Sequence, residues 1–188
     1  MSLIDQTHKQ KHLLILKMDE CLQLRILKEK DVTDQYVKWM NDYEVVEFTK
    51  QQSFTHDQKM VKEFVIDKLN SKNNFLFGIY LNNIHIGNIK LGPINSKNLE
   101  SDISYFIGEK KLWGKGIASR ALMILMHFSF DTLKLKKIHA CYHRKAISSG
   151  KVLTKCGFKS EVSINGAKDS IYVAIQREDF LLFEKNFL

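Results

Sequence analysis

The strongest constraint in this chain is one stretch, WGKGIASRALMILMHFSF, residues 113–130. Leu122, Leu125 and Met126 recur at the spacing of one helix face, with Phe128 and Phe130 behind them, so this segment must be covered by other elements and forms core. It is entered through two glycines, Gly114 and Gly116, that flank Lys115. A helix start leaves its first four amides unpaired and carries about half a positive charge, which attracts phosphate. Glycine just before it lets the backbone approach a ligand where a Cβ would collide. Lys115 adds a mobile charge and Trp113 an apolar wall, so the loop suits a pyrophosphate. Gly-x-Gly alone also serves as a tight strand-to-helix turn, and neither the triphosphate-loop pattern nor the third glycine of the dinucleotide fingerprint is present.

At 188 residues the chain is expected to form one domain over residues 21–188, preceded by an N-terminal arm, residues 1–20. No window approaches the ~20 consecutive apolar residues of a membrane helix, because Lys134, Lys136 and Lys137 close the longest run; no membrane partner is expected. The N-terminus lacks an apolar core followed by a small-residue cleavage site, so a cytoplasmic location follows. Cys21, Cys141 and Cys156 form no Cys-x-x-Cys pair and read as reduced thiols. The seven histidines do not fall at ligand spacing, so no metal is expected. The net charge of +8 favours an acidic or phosphorylated partner. Its lysines are interleaved with Asp and Glu rather than gathered on one face, which argues against nucleic acid.

The alternation in LQLRILKE, residues 22–29, predicts a first strand. A helix capped by Asp31 follows, then a second over about His56 to Leu69 with Met60, Phe64, Val65 and Leu69 inward. FLFGIYLNNIHIGNIKLG reads as a hairpin turning at Asn82 and Asn83. SDISYFIG (101–108) is a strand before the glycine loop and its helix, and KKIHACYH (136–143) is another. A short helix capped by Ser149 ends at Gly157, and SIYVAIQ (170–176) closes the order as a strand. This order fits an α+β fold with a single mixed, mainly antiparallel sheet of about six to seven strands flanked by helices.

The glycine loop and the later segment SSGKVLTKCGFK, residues 148–159, together resemble the GNAT superfamily of acetyl-CoA-dependent N-acetyltransferases. Trp-Met-Asn-Asp-x-Glu-Val at 39–45, Trp113, and Val152-Leu153 before Lys155 are most similar to the branch of ribosomal-protein N-terminal and sugar-amine acetyltransferases. The resemblance implies acetyl-CoA as cofactor, with its pyrophosphate on the backbone of Leu112, Trp113, Gly114, Lys115, Gly116, Ile117 and Ala118, and with Lys111, Ser149 and Lys155 nearby. It implies that the strand before the loop splays from its neighbour and aims the amide of Phe106 or Ile107 at the thioester carbonyl. An amide fixed there is worth a few kcal/mol of barrier. Lys111 stands where the family usually has Arg or Gln, Ala146 where many members have Asn, and Leu153 where many have a proton-donating Tyr.

An alkylammonium must lose a proton before it attacks, and Asp102, Tyr142 and His143 are the candidates to accept it, ahead of Glu100 and His139. Each also has an ordinary reading, as a solvated strand residue, wall packing or a loop histidine. The resemblance places acceptor recognition at Trp39, Asn41, Asp42, Glu44 and Phe48. The basic charge disfavours a polycation, so a nucleotide-linked amino sugar is ranked first and a protein N-terminus second among small-molecule or peptide amines. A catalytically silent acyl-CoA-binding regulator and a nucleic-acid-binding module are the rivals from other classes. Oligomeric state is open, a homodimer included.

Overall fold

The computed structural model describes residues 3–161 and 167–187; the first two residues of the expected arm and the last residue of the expected domain lie outside the described residues. Strands β1 (Ile15–Lys17), β2 (Leu22–Ile26), β3 (Phe75–Leu81), β4 (Ile84–Asn95), β5 (Glu100–Ile107), β6 (Lys137–His143), β7 (Lys159–Ser160) and β8 (Ser170–Gln176) form one sheet. Their spatial order is β1-β2-β3-β4-β5-β6-β8-β7. Every neighbouring pair is antiparallel except β5 and β6. The mixed, mainly antiparallel sheet is thus as expected, with two additional edge strands. β1 and β7 span three and two residues, too short to show alternation.

Helices α1 (Leu3–Lys9), α2 (Asp34–Asn41), α3 (Tyr43–Val46), α4 (Gln58–Asn70), α5 (Ile117–His127), α6 (Ile147–Lys155) and α7 (Arg177–Phe187) cover the sheet. The main core forms where Leu122, Leu125 and Met126 of α5 meet Leu24, Phe77, Ile89, Ile103 and Ile138. A smaller cluster on the opposite face joins Tyr36 and Trp39 of α2 to Val61 and Val65 of α4 and to Leu27 and Leu76. At roughly 1.5–3 kcal/mol for each fully buried side chain, these faces outweigh any helix propensity.

The hairpin turns at Asn82 and Asn83, with φ of 49° and 66°, the left-handed pair that a two-residue turn requires. Three expected details differ. Thr33, not Asp31, caps α2, accepting from the Tyr36 amide at 3.3 Å, while Asp31 accepts from the Lys28 amide at 2.8 Å. On α4, Val61 and Val65 face inward, whereas Met60 and Phe64 are exposed; the two stripes are adjacent and both apolar, so periodicity does not choose between them. Ser149 lies inside α6, whose start at Ala146 has no side-chain cap.

The residues expected as an appended arm pack onto the body. Ile4 is buried in the main core, and β1 pairs with β2. Lys11 is only 3% exposed. Its Nζ donates to the carbonyls of Lys68 at 2.6 Å and Ser71 at 3.0 Å, and to that of Asn74. It thereby caps the C-terminal end of α4, where a cation also complements the helix dipole. Cys156 is buried and Cys21 and Cys141 are exposed, all as free thiols.

Replacing Lys11 by Met leaves these carbonyls without a donor, and equilibrium urea unfolding is expected to show a loss of about 1–3 kcal/mol, against under about 0.5 for the exposed Lys9→Ala. Burial pushes the Lys11 ammonium down to about 8 from 10.5. Between those values the unfolded chain holds more protons than the folded one, so stability rises with pH through that window. That component of the slope should vanish in K11M; an unchanged difference between the two proteins across it would contradict this account of Lys11.

Candidate active site

The parallel ladder between β5 and β6 runs only from Glu100↔Lys137 to Ile103↔Ala140. β5 stays paired to β4 as far as Gly87↔Ile107, and β6 stays paired to β8 as far as His143↔Ser170. Each strand therefore keeps its outer neighbour while the two part from one another, which opens a gap between residues 104–107 and residues 141–143. The Gly108 amide donates to Ile86 O at 2.8 Å. By the alternation of an antiparallel ladder, Phe106 turns its amide the same way, while Tyr105 and Ile107 turn theirs toward the gap. Ile107 O accepts from Trp113 Nε1 at 2.7 Å. Of the two residues expected to aim an amide into the gap, the geometry selects Ile107. The Phe106 ring instead packs against Tyr36 and Trp39.

Beyond β5, Lys110 to Leu112 form a single 3-10 turn, with Lys111 Nζ 3.6 Å from Glu109. Gly114 and Gly116 both have φ of 74°. A Cβ added at either would meet nothing within 4 Å, so these glycines answer to backbone conformation and leave the space above the loop free. Gly116 begins α5 without a side-chain cap, and the Arg120 amide closes the first helical bond, on Gly116 O at 3.1 Å. Among the described residues, no protein group accepts from the amides of Gly114 to Ser119. Ile117 buries its side chain in the core and leaves only backbone at the loop, and Lys115 is exposed. This row of donors at an open helix start fits an anion, and a pyrophosphate needs nothing else from the loop.

A groove of about 510 Å³ lies alongside α6, with Tyr142, Gly150 and Ile171 as its apolar lining and Arg144, Lys151 and Lys155 as its charges. Lys155, expected near a cofactor, lines this groove together with Arg144 and Lys151, which the sequence does not single out because scattered cations carry no signal until the fold gathers them. Ser149 turns away to the gap, where its Oγ lies 3.2 Å from the Tyr105 hydroxyl. Ala146 and Leu153 are both buried.

The opposite face of the sheet carries the other candidates. Asp102 and His139 are in register at the last step but one before the strands part, and Asp102 is exposed. His139 Nδ1 is 2.9 Å from Glu161 and its Nε2 is 3.5 Å from Glu100. Lys137, then His139, hold the Glu161 carboxyl below the usual carboxylate range. His143 shares this face and stacks on Phe48 at 5.4 Å; its Nδ1 accepts from the Lys145 amide at 3.1 Å. Tyr142 points the other way, with its ring over Gly150, so the structure brings Asp102 and His143 to one face and separates Tyr142 from them.

Trp39, expected at the acceptor opening, is 3% exposed and packs beneath Gly108, where a Cβ would overlap its ring. It supports the wall rather than the surface. Asn41 ties two segments together: its amide donates to Val37 O at 2.9 Å and His56 O at 2.8 Å, and its Oδ1 accepts from the His56 amide at 2.8 Å. Asp42 caps α3 and, 2.9 Å from Lys110, shares that cation with Glu44. Lys110 thereby lowers the Asp42 carboxyl. Of the five, Asn41, Glu44 and Phe48 are exposed; Asn41 and Glu44 are engaged in the contacts just described, and Phe48 stacks on His143. Among the described residues, no group of three His, Cys, Asp or Glu is placed to hold a metal.

No described helix is long and apolar enough to cross a membrane. The profile of the acetyltransferase (GNAT) domain matches residues 22–159. A Bacillus licheniformis protein named uncharacterized N-acetyltransferase p20 is 29% identical over 140 residues, which cover 72% of this chain and 76% of that one. RimL, a ribosomal L7/L12 alpha-N-protein acetyltransferase solved in complex with coenzyme A, superposes with a TM-score of 0.75 at 17% identity, over 87% of this chain and 98% of that one. Spermidine N-acetyltransferase from Vibrio cholerae, solved with CoA and spermine, gives a TM-score of 0.75 at 20% identity, over 87% and 99%. Sheet, parting strands and glycine loop thus accompany a family match over most of the chain: the protein belongs to the GNAT family and is an N-acetyltransferase.

Proposed function

We propose that this chain transfers the acetyl group of acetyl-CoA to a primary amine on a nucleotide-linked amino sugar. The observation that carries the donor half is the continuity of the open amide row at Gly114 to Ser119 with the gap between β5 and β6. Two neighbours of the same fold were solved with coenzyme A, which supports the same donor here. Acetyl-CoA supplies an activated thioester carbonyl. The backbone of Leu112 to Ala118 holds the pyrophosphate, Arg144, Lys151 and Lys155 offer charge to the remaining phosphate, and the Ile107 amide faces the carbonyl oxygen. A fixed donor at that oxygen lowers the barrier by about 3 kcal/mol.

On the acceptor face, Asp102 takes the ammonium proton directly or through one water. The stacked rings of Phe48 and His143 form a flat wall against which a sugar ring can lie. Asp42 and Glu44 already hold Lys110 and so are not free for a polycation, and the +8 net charge repels one as well. A protein N-terminus is the second reading, supported by the fold shared with RimL, a ribosomal L7/L12 alpha-N-protein acetyltransferase.

Acetyl-CoA is expected to raise the melting temperature of the protein. Gly116→Val should weaken its binding by at least about tenfold while costing only about 1–2 kcal/mol of stability, since the positive φ is strained by a branched residue. No thermal shift with any acyl-CoA would sink the donor assignment. In thiol-release assays, nucleotide-linked amino sugars should outpace N-terminal peptides, and both should outpace spermidine; fastest release with spermidine would overturn the acceptor assignment, and no release with any amine would overturn transfer by this chain.

A further inference from the structure

On the α6 side of the gap, Tyr105 and Ser149 form a hydroxyl pair that the transfer described above does not use. Tyr105 belongs to the parted stretch of β5, and its side chain packs against the main core on the face that carries α5 and α6. Its hydroxyl is 3.2 Å from Ser149 Oγ and 3.5 Å from Ser149 O, so it reaches from the strand to the helix. Ser149 and Leu153 stand at i and i+4 on α6, on one side of the helix. The next turn of that side is therefore apolar and buried, and it holds no proton donor.

The other titratable groups on this face are less suited. Tyr142 has its ring wedged over Gly150 in the outer groove. Cys156 is buried and gives its thiol hydrogen to Ser119 O at 3.7 Å, with burial pushing that thiol up to about 11. Burial likewise pushes the Tyr105 phenol up to about 12, which keeps it protonated at physiological pH.

We propose that Tyr105 is the catalytic residue that protonates the departing thiolate, with Ser149 relaying a replacement proton from solvent. This rests on acyl-CoA occupying the gap as described above. As the C–N bond forms and the C–S bond breaks, sulfur keeps the electron pair of the broken bond and takes the phenol proton. In concert, the phenolate oxygen recovers a proton through the Ser149 hydroxyl. An ammonium acceptor loses two protons in becoming an amide; one is balanced by the proton gained at sulfur and the other is released to solvent.

The test is Tyr105→Phe, which keeps the ring and removes the donor. Its kcat for CoA release should fall about 10²-fold with acetyl-CoA affinity by calorimetry unchanged within about twofold, and added buffer acid should restore part of the rate. The thiol of bound CoA, followed by its ultraviolet absorbance, should titrate about one pH unit higher in Y105F than in wild type, because a hydrogen bond to the thiolate is gone. Ser149→Ala should show a smaller loss, of about tenfold, with the same CoA affinity. Wild-type kcat in Y105F, an unmoved thiol titration, or a rate loss matched by weakened CoA binding would each overturn the role of Tyr105. Failure of the wild-type protein itself to bind CoA would overturn the underlying donor assignment, and that result is distinct from any of these.

Discussion

The arrangement depends on a parallel ladder that stops after four residue pairs. β5 and β6 separate beyond Ile103 and Ala140 because each is held by an antiparallel partner on its far side, β4 and β8, for the remainder of its length. A parted ladder leaves amides and carbonyls unpaired, and each would cost about 1–3 kcal/mol if it were buried without a partner. Solvent or a bound ligand removes that cost. The gap is stable only as an opening, and the sheet on both sides keeps it from closing.

The gap also divides the molecule into two faces. On one, α5 and α6 pack over the main core, the glycine loop opens α5, the Tyr105–Ser149 pair links β5 to α6, and the cationic groove runs along α6. On the other, α2 and α4 cover the strands up to β5 and leave the β6 side open, with Asp102, His139 and His143 along it. Gly108 marks the border, since only a residue without a Cβ lets Trp39 sit against the strand end there. In the proposed transfer, an acyl donor and an amine acceptor approach from opposite faces and meet through the gap without competing for the same surface.

Much of this is legible in the sequence itself. The alternation of β2, the Asn-Asn hairpin and the amphipathic α5 follow from local pattern, and the glycine loop announces itself through residues whose backbone chemistry is unusual. What local pattern does not contain is contact between distant segments. Lys11 looks like one more surface lysine in a polar stretch, and only the tertiary fold shows it capping α4. Trp39 and Asn41 look like recognition residues because they are aromatic and polar near an opening, yet one is needed under Gly108 and the other ties α2 to His56. Arg144 and Lys151 acquire meaning only once α6 sets them beside Lys155. The choice between Phe106 and Ile107 turns on hydrogen-bond parity along β5, which depends on its register with β4 and not on residue type.

The central claim, that the open amides of the loop and of the parted strand hold one ligand together, is tested most directly by amide hydrogen exchange with and without coenzyme A. The account predicts new protection at Gly114 to Ser119 and at Tyr105 and Ile107, with Phe106 unchanged because its amide already pairs with β4. Protection confined to other parts of the chain, or none at the loop under saturating coenzyme A, would contradict it.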